Sequence, residues 1–282
     1  MPLDGYTKLI AHVGHPTGTF KSPLIYNPYF DSIGVNAAVI PLGVRREDGE
    51  ASLLAIFRMT NVIGALITMP LKIDVVPMLD DISTTVKIAG SCNAVRIGAG
   101  GRLEGDNFDG VGFVQGLKRK GRALKGASAL VVGAGGVGSA IAAGLAGAGV
   151  AVLGLQDTSS SQMEGLAERL RIHHPGLRVR MGVSDPQGFD IAVNATPLGM
   201  NVGDPLPFDP ARLSMGSTVC EVVLNEEMTP LLRAAEERGL MVQTGLDMLF
   251  EMIPVYLDFF GLPVTTPSKL REIMDVTRRS AA

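Results

Sequence analysis

Short apolar runs alternate with helical stretches along the chain. Leu9–Gly14, Ala37–Gly43 and Gly64–Met69 are nearly continuous apolar runs, the signature of strands covered on both faces. Between them, Ser22–Ile33 predicts a helix with Ser22 at the N-cap and Pro23 at the first helical position. Leu53–Met59 fits a second helix, and a short one is expected after Pro70. Asn93–Ile97 and Arg102–Gly105 predict two strands around a Gly100-Gly101 turn. Phe108–Lys120 reads as a helix closed by Gly121, placed to carry the chain from one domain into the next.

A second block begins near Ala127. Ala129–Val132, Val150–Leu155, Val179–Val183, Ile191–Asn194, Val219–Leu224 and Leu240–Gln243 predict strands. Gly138–Ala146 predicts a helix, Ser161 to Glu164 a capping box opening a helix towards His173, and Thr229-Pro230 the cap of a helix ending at Gly239. Such alternation implies a parallel sheet with right-handed crossovers. The tail from Gly245 to Thr277 is helical in pattern and expected to break at Pro254, Pro263 and Pro267. It lacks a nearby strand partner and is expected to pack back on the first domain.

Composition narrows the class. Of 282 residues, 46% are hydrophobic and 19% charged, which suits about two folded domains and excludes a disordered chain. The net charge of −3 leaves no electrostatic footprint for nucleic acid or an anionic membrane. Cys92 and Cys220 lie far apart without metal-ligand spacing, so no metal site and a reducing compartment are expected. No signal peptide is visible, and a cytoplasmic location follows as the expectation. Residues 126–156 carry no charge and are long enough to span a bilayer, but glycines punctuate the run as strand, turn, helix and strand. A buried parallel unit explains it better.

Gly133-Ala134-Gly135-Gly136-Val137-Gly138 matches G-x-G-x-x-G between a predicted strand and a predicted helix. In that setting the first glycine makes the tight turn, the second admits a pyrophosphate and the third packs helix on strand. The helix N-terminus adds free N–H groups and a positive dipole end. Asp157 stands at the end of the next strand, where a carboxylate can accept hydrogen bonds from an adenosine ribose. Thr158 to Gln162 add no basic residue, so NAD is expected in preference to NADP. Lys72, just after a strand, and Asp109, opening a helix, form a candidate pair for moving a proton on an alcohol oxygen. From spacing alone a surface lysine and a capping aspartate remain open.

Ordered motifs extend nearly end to end. They are Gly14-His15-Pro16, Lys21-Ser22-Pro23, Gly64 to Lys72, Ala89 to Asn93, Gly105 to Gly110, Gly133 to Gly138, Asn194 to Met200, Thr229 to Leu232 and Gly245 to Leu249. In these the chain resembles the shikimate dehydrogenase family, quinate/shikimate dehydrogenases included. The resemblance implies an α/β fold of two domains around a cleft. One is an N-terminal α/β substrate domain of residues 1–107 joined by the C-terminal helices 246–282. The other, 108–245, is a Rossmann-type domain with a doubly wound parallel sheet. It also implies reversible hydride transfer between a nicotinamide and a ring alcohol of a cyclic hydroxy acid, with a small-molecule substrate and a monomer or homodimer. By the same resemblance Lys72 and Asp109 are the catalytic pair. Ser22 would hold a carboxylate, Thr68, Asn93 and Asp109 ring hydroxyls, and Thr196, Leu198, Met200 and Gly245 the cofactor beside the glycine loop.

The chain departs from the family where substrate is expected. Phe20 stands for a serine, Leu66 for an asparagine, Phe108 for a threonine, Leu224 for a tyrosine and Met252 for a glutamine. Two readings follow. Either neighbours such as Thr17 and Thr19 restore the lost hydroxyls and shikimate or quinate is oxidised, or the substrate is different and less polar, with Phe20 and Met252 lining its site. A nucleotide-binding protein without turnover is the third reading, and the lysine at 72 speaks against it.

Overall fold

The structure is a computed structural model that describes residues 3–281. It divides into two compact units. The first takes the chain up to Val86, Ser91–Phe108 and the chain from Ile253 on; the second takes Lys87–Gly90 and Asp109–Met252.

The first unit is built on strands β1 (Lys8–Gly14), β2 (Ala37–Gly43), β3 (Val62–Ile67), β4 (Asp81–Ile82), β5 (Ala94–Ile97) and β6 (Leu103–Asp106). They form one sheet in the order β2-β1-β3-β5-β6-β4. β1 pairs parallel with β2 and β3, whereas β5 runs antiparallel to β3 and β6. The β5–β6 hairpin is possible because Gly100 and Gly101 both adopt positive φ, at 70° and 79°. Helices α1 (Pro23–Ser32) and α2 (Gly49–Ile56) belong to this unit. α3 (Thr84–Ala89) spans the division between the units.

Alternation along β1 and β3 decides the core. Ala11, Val13, Ala65 and Ile67 turn to one face, where Leu53, Leu71, Val75 and Val95 close over them. His12 and Leu66 are therefore on the other face, and the register places them side by side.

The second unit holds α4 (Asp109–Arg119), β7 (Ser128–Val132), α5 (Gly136–Gly147), β8 (Val152–Gln156), α6 (Ser160–His173), β9 (Arg178–Met181), β10 (Ile191–Asn194), β11 (Thr218–Glu221), α7 (Pro230–Glu237) and β12 (Met241–Gln243). The sheet order is β12-β11-β10-β7-β8-β9, with every pairing parallel. That is the doubly wound dinucleotide-binding order, and its reversal lies between β7 and β10. α8 (Gly245–Phe259) passes from the second unit into the first after Met252. In the first unit α9 (Pro267–Ala281) packs on α1, and Tyr29 donates to the Pro263 carbonyl at 2.8 Å.

Several local expectations are corrected. Pro254 does not break α8, because Phe250, Ile253 and Leu257 are fully buried and their packing outweighs one missing backbone bond. No α-helix follows Pro70; the chain instead makes turns and a single 3-10 turn at Val76–Met78, with Pro77 near its start. α6 is capped by Ser159, whose hydroxyl accepts from Gln162 N–H, and not by Ser161. Ser22 precedes α1 but its side chain makes no cap bond. β11 stops at Glu221 because that carboxylate takes the N–H groups of Val222 and Val223. α3 and β4 have no counterpart among the elements that the hydrophobic pattern predicts.

No helix among the described residues is long and apolar enough to cross a membrane. The uncharged run instead folds as β7, α5 and β8, with α4 lying on α5. That crossing depends on glycine. A methyl group on Gly110 would lie 2.2 Å from the Ala140 carbonyl oxygen, and one on Gly144 would lie 2.7 Å from that of Gly110. Gly110→Ala is expected to destabilise the fold by about 1–3 kcal/mol in urea denaturation, because a packed backbone must move apart. Gly147→Ala, at the end of the same helix α5 with nothing within 4 Å of the new methyl, is expected to leave stability unchanged or slightly raised.

Candidate functional site

In the second unit, the loops leaving β7, β8, β10 and β11 gather at the C-terminal edge of the sheet. Gly133 turns the chain out of β7 with φ +104°, and any methyl there would press on Ala195. A methyl on Gly138 would sit 1.9 Å from the Gly133 carbonyl oxygen, so the start of α5 closes directly on the turn. Gly135, the N-cap of α5, differs: a methyl there meets nothing within 4 Å. Its open side lies at the N-terminal end of α5, where a helix presents its N–H groups to an anion, and that is the cradle a pyrophosphate requires. The residues present therefore fit a dinucleotide.

Asp157 has a second task. One oxygen accepts the N–H of Ala134 inside the glycine loop, and the other accepts the N–H of Ser159 at 2.7 Å. The carboxylate thus ties the loop after β7 to the end of β8. Each oxygen keeps a lone pair for a further donor.

The turn after β10 is held by a buried polar network that sequence reading passed over. Asn194 accepts from the N–H and hydroxyl of Thr196, at 3.0 and 2.7 Å, and donates to the Leu198 carbonyl at 2.8 Å. Its amide also donates to Glu221, which is 1% exposed and takes a further bond from the Thr229 hydroxyl. Burial in this setting raises the Glu221 carboxyl above its ordinary range, against the pull of those neutral donors. Gly199, with φ +98°, donates its N–H to Asp204, and Asn225 donates to the Met200 carbonyl. Thr196, Leu198 and Met200 are half-buried on this braced turn. Gly245 opens α8 close against the Val223 carbonyl, and Thr244 and Asp247 cap one another there.

Asp109 is 2% exposed at the start of α4. Met252 packs on Gly112 of that helix, and Leu224 on Gly245.

In the first unit a separate set converges on the ends of β1 and β3. Thr68 N–H donates to Val13 O, His15 N–H to Met69 O and Cys92 N–H to Lys72 O, at 2.7–2.9 Å. These bonds fix Thr68, Lys72 and Asn93 around one corner. Lys72 is buried at 9% exposure, unusual for a lysine. Asn93 accepts the Phe108 N–H on Oδ1 at 2.9 Å, while its Nδ2 is buried and finds no hydrogen-bond partner. Orphaned donors of this kind are rare and point to a ligand. Phe108, by contrast, is core: its ring meets Tyr256 and Phe259 edge-on, at 5.1 and 5.4 Å.

His12, on β1, also stands at this corner. Its imidazole is 8% exposed, stacks on Phe20 at 4.0 Å and 19°, and leaves Nδ1 buried without a partner. Burial first, and then the Lys72 ammonium, push its pKa down to about 3, so the ring is neutral. A lone histidine in an apolar strand carries no sequence signal for such a position. Burial pushes the Cys92 thiol up to about 12, which removes it as a nucleophile.

Among known proteins, residues 13–95 match the family described as "Shikimate dehydrogenase substrate binding domain". Shikimate dehydrogenase (NADP(+)) of Rubrobacter xylanophilus is 37% identical over 255 residues, 88% of each chain. The structure is similar to that of shikimate 5-dehydrogenase from Thermus thermophilus in complex with NADP(H) and shikimate, with 28% identity, TM-score 0.84, and 96% and 100% of the two chains covered. It is also similar to quinate dehydrogenase from Corynebacterium glutamicum in complex with NAD, with 28% identity, TM-score 0.81, and 95% and 98% covered.

The Glu221 network yields a prediction. A carboxyl whose folded-state pKa is raised stabilises most below its unfolded value, and that advantage is lost as pH rises through the folded value. The stability difference between the wild type and Glu221→Gln, followed by thermal melts from about pH 4 to 8, is expected to narrow as pH rises, since about 4.3 is the unperturbed value.

Proposed function

The chain belongs to the shikimate dehydrogenase family, and on that premise we propose that it catalyses reversible hydride transfer between a nicotinamide and a ring alcohol of a shikimate- or quinate-like cyclic hydroxy acid, with NAD preferred. The observation that carries this reading is the corner of the first unit where a buried Lys72 stands with Thr68 and an Asn93 whose Nδ2 lacks a partner. The unspent Nδ2 of Asn93 needs an acceptor, and a hydroxyl or carbonyl oxygen of a substrate held beside Lys72 provides one.

In this reading the glycine loop and the Thr196–Met200 turn hold the dinucleotide, which when bound accepts or supplies the hydride. Lys72 as the free amine takes the hydroxyl proton as the ring carbon is oxidised, and as the ammonium it returns that proton to the oxygen in the reverse direction. Asp109 orients that exchange and binds a ring hydroxyl, with Asn93 Nδ2 and Thr68 Oγ1 holding others. Ser22 offers a hydroxyl that α1 does not use for its cap.

Support for NAD comes from the end of β8. Residues 156–162 hold one carboxylate, Asp157, and no basic side chain to meet a 2′-phosphate. A second reading, a substrate less polar than shikimate, is favoured by the Phe20 ring stacked beside His12.

Lys72→Ala is expected to lower kcat with shikimate or quinate by about a hundredfold or more, the scale of losing a general acid–base group, and to leave nucleotide affinity nearly unchanged. Turnover that survives within a few-fold would remove the assigned role. Asp157→Ala is expected to weaken both dinucleotides by loosening the glycine loop, and NAD more than NADP because the charge that repels a 2′-phosphate is gone. An unchanged ratio of the two KM values would show that this carboxylate does not discriminate between them.

A further inference from the structure

We propose that the wall made by His12, Phe20 and Ser22 receives an uncharged part of the substrate, so that the ring alcohol oxidised here bears a neutral hydroxyl, hydroxymethyl or amide-like group at that wall and not a carboxylate. The inference rests on the hydride-transfer reading and gives content to its second form, a substrate less polar than shikimate.

The wall is built, not incidental. Phe20 lies two residues before Ser22, and its half-buried ring is stacked nearly parallel on His12 at 4.0 Å. His12 in turn is the electrostatic neighbour of Lys72, which places the stack beside the proposed reacting corner. Every group in the wall is uncharged. The imidazole is neutral, Phe20 presents an aromatic face, and Ser22 contributes one buried hydroxyl that does not cap α1.

A carboxylate seated against these three side chains would find too few donors in them. Ionised, it offers about four lone-pair sites and accepts only. Against these the wall sets one hydroxyl and one neutral imidazole, which donates from a single nitrogen. Lys72 is committed to the reacting oxygen. An ionised group taken out of water with so few partners is costly, whereas a neutral group both donates and accepts. The unpartnered Nδ1 of His12 and the Ser22 hydroxyl match such a group, and the Phe20 face covers the apolar edge of the ring that carries it.

Shikimate and its primary amide differ in charge but hardly in size, and they are the probes. Turnover is followed by cofactor absorbance, and binding by calorimetry with the oxidised dinucleotide present. The wild type is expected to prefer the amide by about tenfold or more in kcat/KM, the scale of a lost charge-assisted hydrogen bond. Phe20→Ser is expected to shift that ratio back towards the acid by a similar factor. A wild type that prefers the acid in both turnover and binding overturns the proposal, whether or not the variant folds. If neither compound is oxidised, calorimetry still decides. Tighter binding of the amide supports the wall and removes the hydride-transfer reading; tighter binding of the acid, or no binding of either, removes the wall.

Discussion

Parallel pairing at the C-terminal edge of the second sheet is the constraint from which its candidate site follows. Strands β7, β8, β10 and β11 all end on the same side, so their loops must share one edge, and each loop leaves backbone groups without a ladder partner. Asp157 takes two of those N–H groups, Asn194 takes one, and Glu221 takes two. The polar residues that look like ligands in a sequence are therefore also the partners that let the loops exist. Rigidity of the glycine loop and of the Thr196–Met200 turn comes from this satisfaction of backbone groups, and a dinucleotide site needs loops that hold their shape.

What could be read in advance was what depends on neighbours in sequence. The closure of Gly138 on Gly133, the Thr229 cap and the hairpin at Gly100-Gly101 rest on contacts within a few residues, and the structure shows all three. What could not be read depends on distant partners. Pro254 sits in an unbroken helix because of what Phe250, Ile253 and Leu257 are buried against. Asp157 had a visible position but not a visible partner, since Ala134 lies 23 residues away. His12 gave no signal, because its meaning comes from Phe20 and from Lys72, which is far along the chain.

The departures from the family pattern separate once their surroundings are known. Phe108 fills an aromatic cluster with Tyr256 and Phe259, Met252 packs on Gly112, and Leu224 packs on Gly245. Leu66 is buried in β3 at 4% exposure. These four exchange polar for apolar contacts inside packing that absorbs them. Phe20 differs, since its ring is only half-buried and its partner is itself polar.

The register of β1 with β3 gives that difference a cause. His12 stands beside Leu66 on the same face of the sheet, so the polar group absent from β3 has a counterpart one strand away. An imidazole in that place, next to a buried ammonium, is tolerated only while it is neutral, because two cations sharing a low-dielectric corner repel strongly. Phe20 covers the ring and excludes the water that would favour its protonation. Leu66, His12 and Phe20 thus act together: Leu66 stands beside the imidazole on the same face, and Phe20 covers the ring that must stay neutral next to Lys72. A change in Phe20 or Leu66 alone would leave an unshielded imidazole or an unfilled gap, so the three side chains are best understood as one packed unit.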